Sequence, residues 1–403
     1  MRLLLKNARI WDGVADDYVA EGSVFCVDGR IEAIGGSAPQ GADREIDLAG
    51  RALLPGFIDA HFHAYASEVS VPTVESLPIS YLAHHAARLL RDALHRGFTT
   101  VRDAGGADWG LWRAAEDGLI ESPRIFYSGR ALSQTGGHGD SRTAHSEPCG
   151  CRHIANLSQV ADGVDEVRRV AREVLRQGAH QIKIFVSGGV SSPTDPIWMR
   201  QYSGEEIRAI VAEAASRRTY VMAHAYTADT VAHAVECGVR SIEHGNLIDA
   251  AAAAAMAAHG AFLVPTLVTY EALSQDGARY GLAPDSQAKL TEVATKGATA
   301  VTLARQAGGQ VGFGTDLLGP LHSWQLQEFR LRGAIERPIE VLRSATSTNA
   351  ELLMRTGELG CVRLGAKADL VSFDDDPLAD LKAIFDHGPA LVVKDGRVVH
   401  DLS

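Results

Sequence analysis

Apolar and polar positions alternate along this chain at two different periods. Both ends carry short runs with the two-residue period of strands. At the start these are LLLKNARI and SVFCVDGRIEAIG, the second turning at Asp28-Gly29. At the end they are ADLVSF and ALVVKDGRVV, turning at Asp395-Gly396. Asp-Gly between apolar runs predicts a tight hairpin. Between the ends, short apolar strands that finish on polar residues alternate with helical stretches. The expected strands are 56–63, 99–103, 124–128, 181–186, 220–224, 241–244, 262–266 and 310–316. Three helices announce themselves. Ser203 and Glu206 form a capping box ahead of IRAIVAEAA. VDEVRRVAREVLRQG has one apolar face and stops at Gly178. The alanine run that begins at Ala250 follows Asp249, a good helix cap.

Eight strands interleaved with helices predict an α/β chain folded as a closed parallel (β/α)8, or TIM-type, barrel. An open doubly wound sheet is the competing topology, but no Gly-rich phosphate fingerprint follows the first strand. The barrel is expected over residues 55–359. Residues 1–54 and 360–403 are expected to join in one small composite β domain, a sandwich. The length of 403 residues suits a barrel with one minor domain.

Composition narrows the partners. With 39 basic and 50 acidic residues the net charge is −11. That argues against nucleic acid or an anionic membrane as the main partner. Five scattered cysteines, Cys26, Cys149, Cys151, Cys237 and Cys361, make a disulfide framework a poor expectation. No apolar run approaches the roughly 20 residues of a membrane span. The leucine run near the start is too short for a signal peptide. The expected compartment is the cytoplasm, or outside the cell if a signal peptide was removed.

Function in such a barrel sits where the strands end. The first expected strand ends in His61-Phe62-His63, the fourth contains Lys183, the fifth ends at His224, the sixth at His244 and the eighth at Asp316. His61 and His63, two apart on a strand, share a face and suit one cation. A lone histidine at a strand end is more often structural, so this pair divides evenly between metal and packing. Lys183 is sharper. It lies in QIKIFV, a run expected to be buried on both faces. Either it pairs with a buried carboxylate, or desolvation favours its neutral amine. A neutral amine can add carbon dioxide to form a carbamate, whose two oxygens can bridge two metals.

These residues, with the phrases LLPGFIDAHFH, GFTTVRDAGG, GGHGD, IKIFVSGGVSS, AHAY and SIEHG, resemble the binuclear metal-dependent amidohydrolase superfamily. The phrasing is similar to its branch of Xaa-Pro dipeptidases, related carboxypeptidases and ochratoxin-hydrolysing amidases. The resemblance covers nearly the whole chain. It implies two divalent metal ions, zinc by default. His61 and His63 with Asp316 would hold one, and His224 and His244 the other. Carboxylated Lys183 and a hydroxide would bridge them. Asp316 would take the hydroxide's proton and pass it to the leaving amine. A self-associating barrel, a homo-oligomer, is also implied.

Other residues divide between roles. His138, in the Gly-Gly-His-Gly-Asp loop, is either a substrate contact, as the resemblance implies, or a surface histidine. Tyr226 shares the face of His224, where its hydroxyl would reach a carbonyl or carboxylate, or would merely pack over the rim. Gly188 and Gly189 either let substrate approach the backbone or form a simple turn. Arg142 and Arg152 offer cations for a substrate carboxylate. The stretch from His145 to His153, with Cys149 and Cys151, reads as a lid loop better than as a zinc site, because Cys-x-Cys is not the usual structural spacing.

The leading expectation is a hydrolase of amide bonds next to a C-terminal carboxylate: dipeptides, N-acyl amino acids or aryl-amide mimics such as ochratoxin-type toxins. The alternatives are a cyclic amide or imidazolone hydrolase or deaminase, a lactone or phosphotriester hydrolase, and a non-catalytic scaffold. Lys183 speaks against a mononuclear deaminase, and the intact set of polar strand ends against a scaffold.

Overall fold

The computed structural model describes residues 1–36, 41–142, 157–192 and 194–402. The stretch expected to be a lid, with Cys149, Cys151 and Arg152, lies outside the described residues except at its approaches. Among the described residues no helix is long and apolar enough to cross a membrane.

Both termini build one sheet of eight strands. Its order runs Arg397–Asp401, Leu391–Lys394, Leu370–Phe373, Ala52–Pro55, Arg2–Ile10, Ala20–Val27, Arg30–Ile34, with Arg44–Asp47 also paired to Arg2–Ile10. The two Asp-Gly turns have positive φ at both residues: 47° and 82° at Asp28-Gly29, 46° and 70° at Asp395-Gly396. That conformation matches the twist of the flanking strands. The two turns also pack on each other. A Cβ at Gly29 would stand 3.2 Å from the Asp395 carbonyl oxygen, and one at Gly396 3.2 Å from the Gly29 Cα. Leu3, Leu5, Val24 and Cys26 from one end share a core with Leu370, Leu391 and Val393 from the other.

The middle of the chain is a TIM-barrel-like α/β arrangement. Phe57–Phe62, Phe98–Asp103 and Arg124–Tyr127 pair in parallel. A second parallel sheet runs Ser158–Val160, Ala131–Ser133, Ile182–Phe185, Val221–Thr227, Ser241–Leu247, Phe262–Val264 and Gln310–Val311. Backbone hydrogen bonds join the two sheets at both seams. The His180 N–H donates to Tyr127 O at 2.8 Å, and the Ala60 N–H to Phe313 O at 2.9 Å. The short strands Ala131–Ser133 and Ser158–Val160 were not expected.

The helices follow local signals. Ser203 caps Gly204–Ser216, its backbone N–H returning to Glu206 Oε2 at 2.8 Å. Val164–Arg176 ends just before Gly178, whose φ is 91°. Asp249 caps Ala250–Ala258 by accepting from the Ala252 N–H at 2.8 Å.

Two expected strands are cut short. The run 262–266 pairs only through Val264, because Thr266 turns to φ 48°. The run 310–316 pairs only at Gln310–Val311. Beyond it the Phe313 N–H turns to the Asn349 side chain, and the Asp316 N–H crosses to His61 O at 2.7 Å. Gly314 permits that crossing, since a Cβ there would sit 2.7 Å from His61 Cβ.

Candidate metal and active site

The strand ends converge on one open cavity. His61, His63, Lys183, His224, His244 and Asp316 line it, as do His138 and Tyr226. The six groups named as metal ligands are therefore brought together. The imidazoles pack as a cluster: His61 lies 5.3 Å from His63 and 5.0 Å from His244, and His224 lies 4.7 Å from His244, centroid to centroid. Ligand atoms of His61, His244 and Asp316 all lie within 4.8 Å of one another. Asp316 Oδ1 stands 3.3 Å from His61 Nε2 and 3.1 Å from His63 Nε2.

Each ring is held from outside the cavity through one nitrogen, while Nε2 of His61 and of His63 faces Asp316. His61 Nδ1 meets Glu243 Oε2 at 2.7 Å, and His63 Nδ1 meets Gly105 O at 3.2 Å. His224 Nε2 meets Gly188 O at 3.1 Å, and His244 Nδ1 meets Thr266 Oγ1 at 2.8 Å. An imidazole that donates outward to a carboxylate, carbonyl or hydroxyl offers its other nitrogen's lone pair inward, which is how proteins orient metal-binding histidines. The donor set therefore fits divalent cations. Burial holds His224 and His244 well below the usual imidazole range, in the neutral form a metal needs. Burial would raise the Asp316 carboxyl, but His61 and His63 outweigh it and hold the group well below its usual range.

Lys183 is buried, and burial pushes its ammonium down to about 8, against the opposing pull of Glu243 and Asp316. The buried Lys–carboxylate pair that would explain it structurally does not form: among the described residues its Nζ makes no ion pair. It stands 5.5 Å from the Phe185 ring centroid and faces the cavity.

Beneath these groups lies a charged layer that sequence reasoning did not single out. Glu243 is fully buried and bound by the buried Arg102 at 2.9 and 3.0 Å. Burial would raise its carboxyl, but Arg102 and His61 bring it down to about 2. Asp59 accepts from the His61 and Thr315 N–H groups, each at 3.1 Å, and from the Gln325 amide at 2.9 Å. Asp103 accepts from the backbone N–H groups of Ala64, Gly105 and Ala107. A signal existed in the sequence. Arg102 and Glu243 are opposite charges within two runs expected to be buried strands, and buried charges seek partners. Adjacent Glu243 and His244 would ordinarily point to opposite faces. The φ of 75° at His244 breaks that alternation and lets both reach the site.

His138 lies against the site, its ring stacked 4.3 Å from His224. Tyr226 OH accepts from Tyr270 OH at 3.1 Å, which leaves its own proton free to donate into the cavity. Gly188 and Gly189 belong to the packing around the histidines. The Gly188 carbonyl takes the His224 bond, and a Cβ at Gly189 would meet His138 Cε1 at 2.1 Å. Arg142 is gripped by Asp140, with two contacts of 2.6 Å, and is not among the residues lining the cavity.

Comparison with known proteins agrees with this chemistry. The amidohydrolase family model matches residues 52–399. Ochratoxinase of Aspergillus niger is 34% identical over 348 residues, covering 82% of this chain and 72% of that protein. A crystal structure of a prolidase complexed with N-methylphosphonate-L-proline superposes with a TM-score of 0.96 at 46% identity, covering 100% of both chains. A Xaa-Pro dipeptidase with bound methionine in its active site superposes at 0.89 with 27% identity, covering 99% of each. The chain is thus a hydrolase acting on amide or peptide bonds, and it belongs to the amidohydrolase family, in the branch that includes ochratoxinase and the Xaa-Pro dipeptidases.

Proposed function

We propose that this enzyme hydrolyses an amide bond next to a C-terminal carboxylate, in dipeptides, N-acyl amino acids or aryl-amides of the ochratoxin type. The observation that carries the reading is the unpaired, buried Lys183 amine among four imidazoles and Asp316 on one cavity wall. Two divalent ions, zinc in this reading, would be held by His61, His63 and Asp316 on one side and by His224 and His244 on the other. Lys183, carboxylated, would stand between them. Such ions, when bound, supply an acidified water and polarise the scissile carbonyl.

The chain's own groups do the rest. The neutral Lys183 amine adds carbon dioxide, forming an N–C bond and releasing one proton, to give the carbamate. Asp316, an ionised carboxylate facing the cavity, accepts a proton at Oδ and returns it to the leaving nitrogen. Tyr226 donates its hydroxyl proton to a substrate oxygen, a role favoured by the bond it accepts from Tyr270. His138 presents its ring beside the reacting bond. Val71, Pro72, Leu273 and Leu318 give the cavity apolar wall for the side chain of the departing residue.

The names of the relatives support this substrate class: one is an ochratoxinase, one a prolidase and one a Xaa-Pro dipeptidase. In the same reading the two seams close an eight-stranded barrel over residues 55–359. Residues 1–54 and 360–403 form the β domain, bent as a sandwich over its shared core, and the chain self-associates. The test is to incubate zinc-loaded protein with a mixture of dipeptides, N-acyl amino acids and aryl-amides, with and without a free carboxylate, and to identify products by mass spectrometry. Cleavage confined to carboxylate-bearing amides is expected. No cleavage of any member, with two metals bound, overturns the reading.

A further inference from the structure

His138 is held from behind by a buried polar cluster. Its Nδ1 lies 2.7 Å from Ser192 Oγ and 3.2 Å from Asp195 Oδ2. Asp195 is fully buried. The same Oδ2 accepts from the Gly189 N–H at 3.0 Å and from Gln201 Nε2 at 3.3 Å. Gln201 also accepts the backbone N–H of His138 at 2.9 Å. Ring and backbone of His138 are thus fixed by three side chains: Ser192 and Asp195 at the ring, and Gln201 at the backbone.

The loop that carries Asp195 is itself clamped. Lys289, from the helix Pro284–Val293, donates its Nζ protons to the carbonyls of Gly189, Ser192 and Asp195 at 3.0, 2.9 and 2.6 Å. Its charge stands 3.8 Å from Asp195 Oδ1. A carboxylate buried this deeply costs stability unless it is paired and hydrogen-bonded. Packing alone is poorly served by a polar cluster of four side chains in which every short contact leads back to one histidine ring or the loop beneath it.

We propose that Asp195 is the positioning residue for His138. It fixes the imidazole with Nδ1 protonated and directed away from the reacting bond, so that Nε2 is the nitrogen presented to substrate, and Lys289 holds the loop that makes this orientation rigid. This is the logic by which an outer carboxylate sets the tautomer and angle of a working histidine. It rests on the reading of His138 as a substrate contact given above.

Two experiments on the zinc-loaded full chain test it. The first is a double-mutant cycle on a cleaved substrate. Asp195→Ala is expected to lower kcat by about 30-fold or more with KM within about threefold. Asp195→Asn, which keeps an acceptor at the same place, is expected to stay within about fivefold of the parent. In a His138→Ala background the Asp195→Ala change is expected to cost less than about threefold, because there is no ring left to position. Equal losses in both backgrounds overturn the proposal, since a merely structural role would persist without His138.

The second experiment needs no turnover. In 15N-histidine-labelled protein, with the His138 signal identified by its loss in His138→Ala, Nδ1 is expected to carry a proton in the parent. An unprotonated Nδ1 overturns the proposal even if Asp195→Ala does not fold. If the parent cleaves nothing, the proposed substrate class fails, while the 15N spectrum still decides for or against Asp195.

Discussion

His61 and Glu243 meet Nδ1 to Oε2 at 2.7 Å with neither side chain exposed, and this bond ties the cavity wall to the charged interior of the barrel. On its other side Glu243 holds Arg102 at 2.9 Å, also fully buried. One carboxylate therefore orients a cavity-facing imidazole and neutralises a fully buried guanidinium. Glu243→Gln is expected to do two things at once. An uncompensated buried Arg102 should cost about 3–5 kcal/mol of unfolding free energy. The loosened His61 should weaken zinc binding by about 10–100-fold. Urea denaturation and a zinc titration read the two effects separately; a loss in only one would show that Glu243 serves only that role.

Lys183→Met keeps an apolar stem of similar length and removes the amine. It should abolish activity, by at least about 1,000-fold, and reduce bound metal, as expected when a group shared by two ions is lost. The direct readout is 13C NMR after supplying 13C-labelled bicarbonate. A carbamate carbon is expected in the parent and not in the variant. Full activity in Lys183→Met would refute the bridging role.

Gly189 offers a purely steric test. A Cβ there would meet the His138 ring at 2.1 Å, so Gly189→Ala must push the ring off its stack on His224. Activity should fall by about tenfold or more, given how steeply rate depends on placement. Unfolding stability should change by only about 1–3 kcal/mol, the usual cost of overpacking. Kinetics and urea denaturation on one preparation check both.

Glu328 gives the protein a pH dependence away from the site's own chemistry. Burial pushes its carboxyl up to about 8, against the ordinary 4.5. Its Oε2 accepts the Val268 N–H at 2.7 Å, but Oε1 has no hydrogen-bond partner among the described residues. The native pKa lies above the unfolded one, so between these values the folded state keeps a proton that the unfolded state has released. This contribution to stability is fully present below pH 4.5 and is lost as pH rises to about 8. Glu328→Gln removes the titration. The variant's stability relative to the parent should therefore rise by a few kcal/mol between about pH 5 and pH 8, since each tenfold change in proton affinity is worth roughly 1.4 kcal/mol. Urea unfolding at both ends of the window measures it; a constant difference would exclude Glu328 as the source.

Much of the molecule was legible in sequence because its signals are local. The Asp-Gly turns, the Ser203–Glu206 box, the Asp249 cap and the polar ends of apolar runs are each written within a few residues. His61, Lys183, His224, His244 and Asp316 could be gathered on one rim because parallel strands in a barrel all end on the same side. Strand ends were less legible. The run to Thr266 ends in left-handed backbone, with φ of 48°, and the run to Asp316 leaves the ladder after Val311, neither of which any residue pattern announced.

What only the tertiary structure decided is who partners whom across long separations. The sequence by itself determined that Lys183 would be buried and chemically unusual; it left open whether a carboxylate paired with it. Folding resolved that by giving the nearby Glu243 to Arg102, 141 positions away in the chain, and to His61, 182 away. It likewise placed Asp195 behind His138, 57 residues apart. Hydrophobic period and cap chemistry are properties of neighbouring residues. A buried charge, by contrast, is satisfied by whichever opposite charge the closed barrel brings within hydrogen-bond reach, and that depends on strand order and register rather than on any local run of sequence.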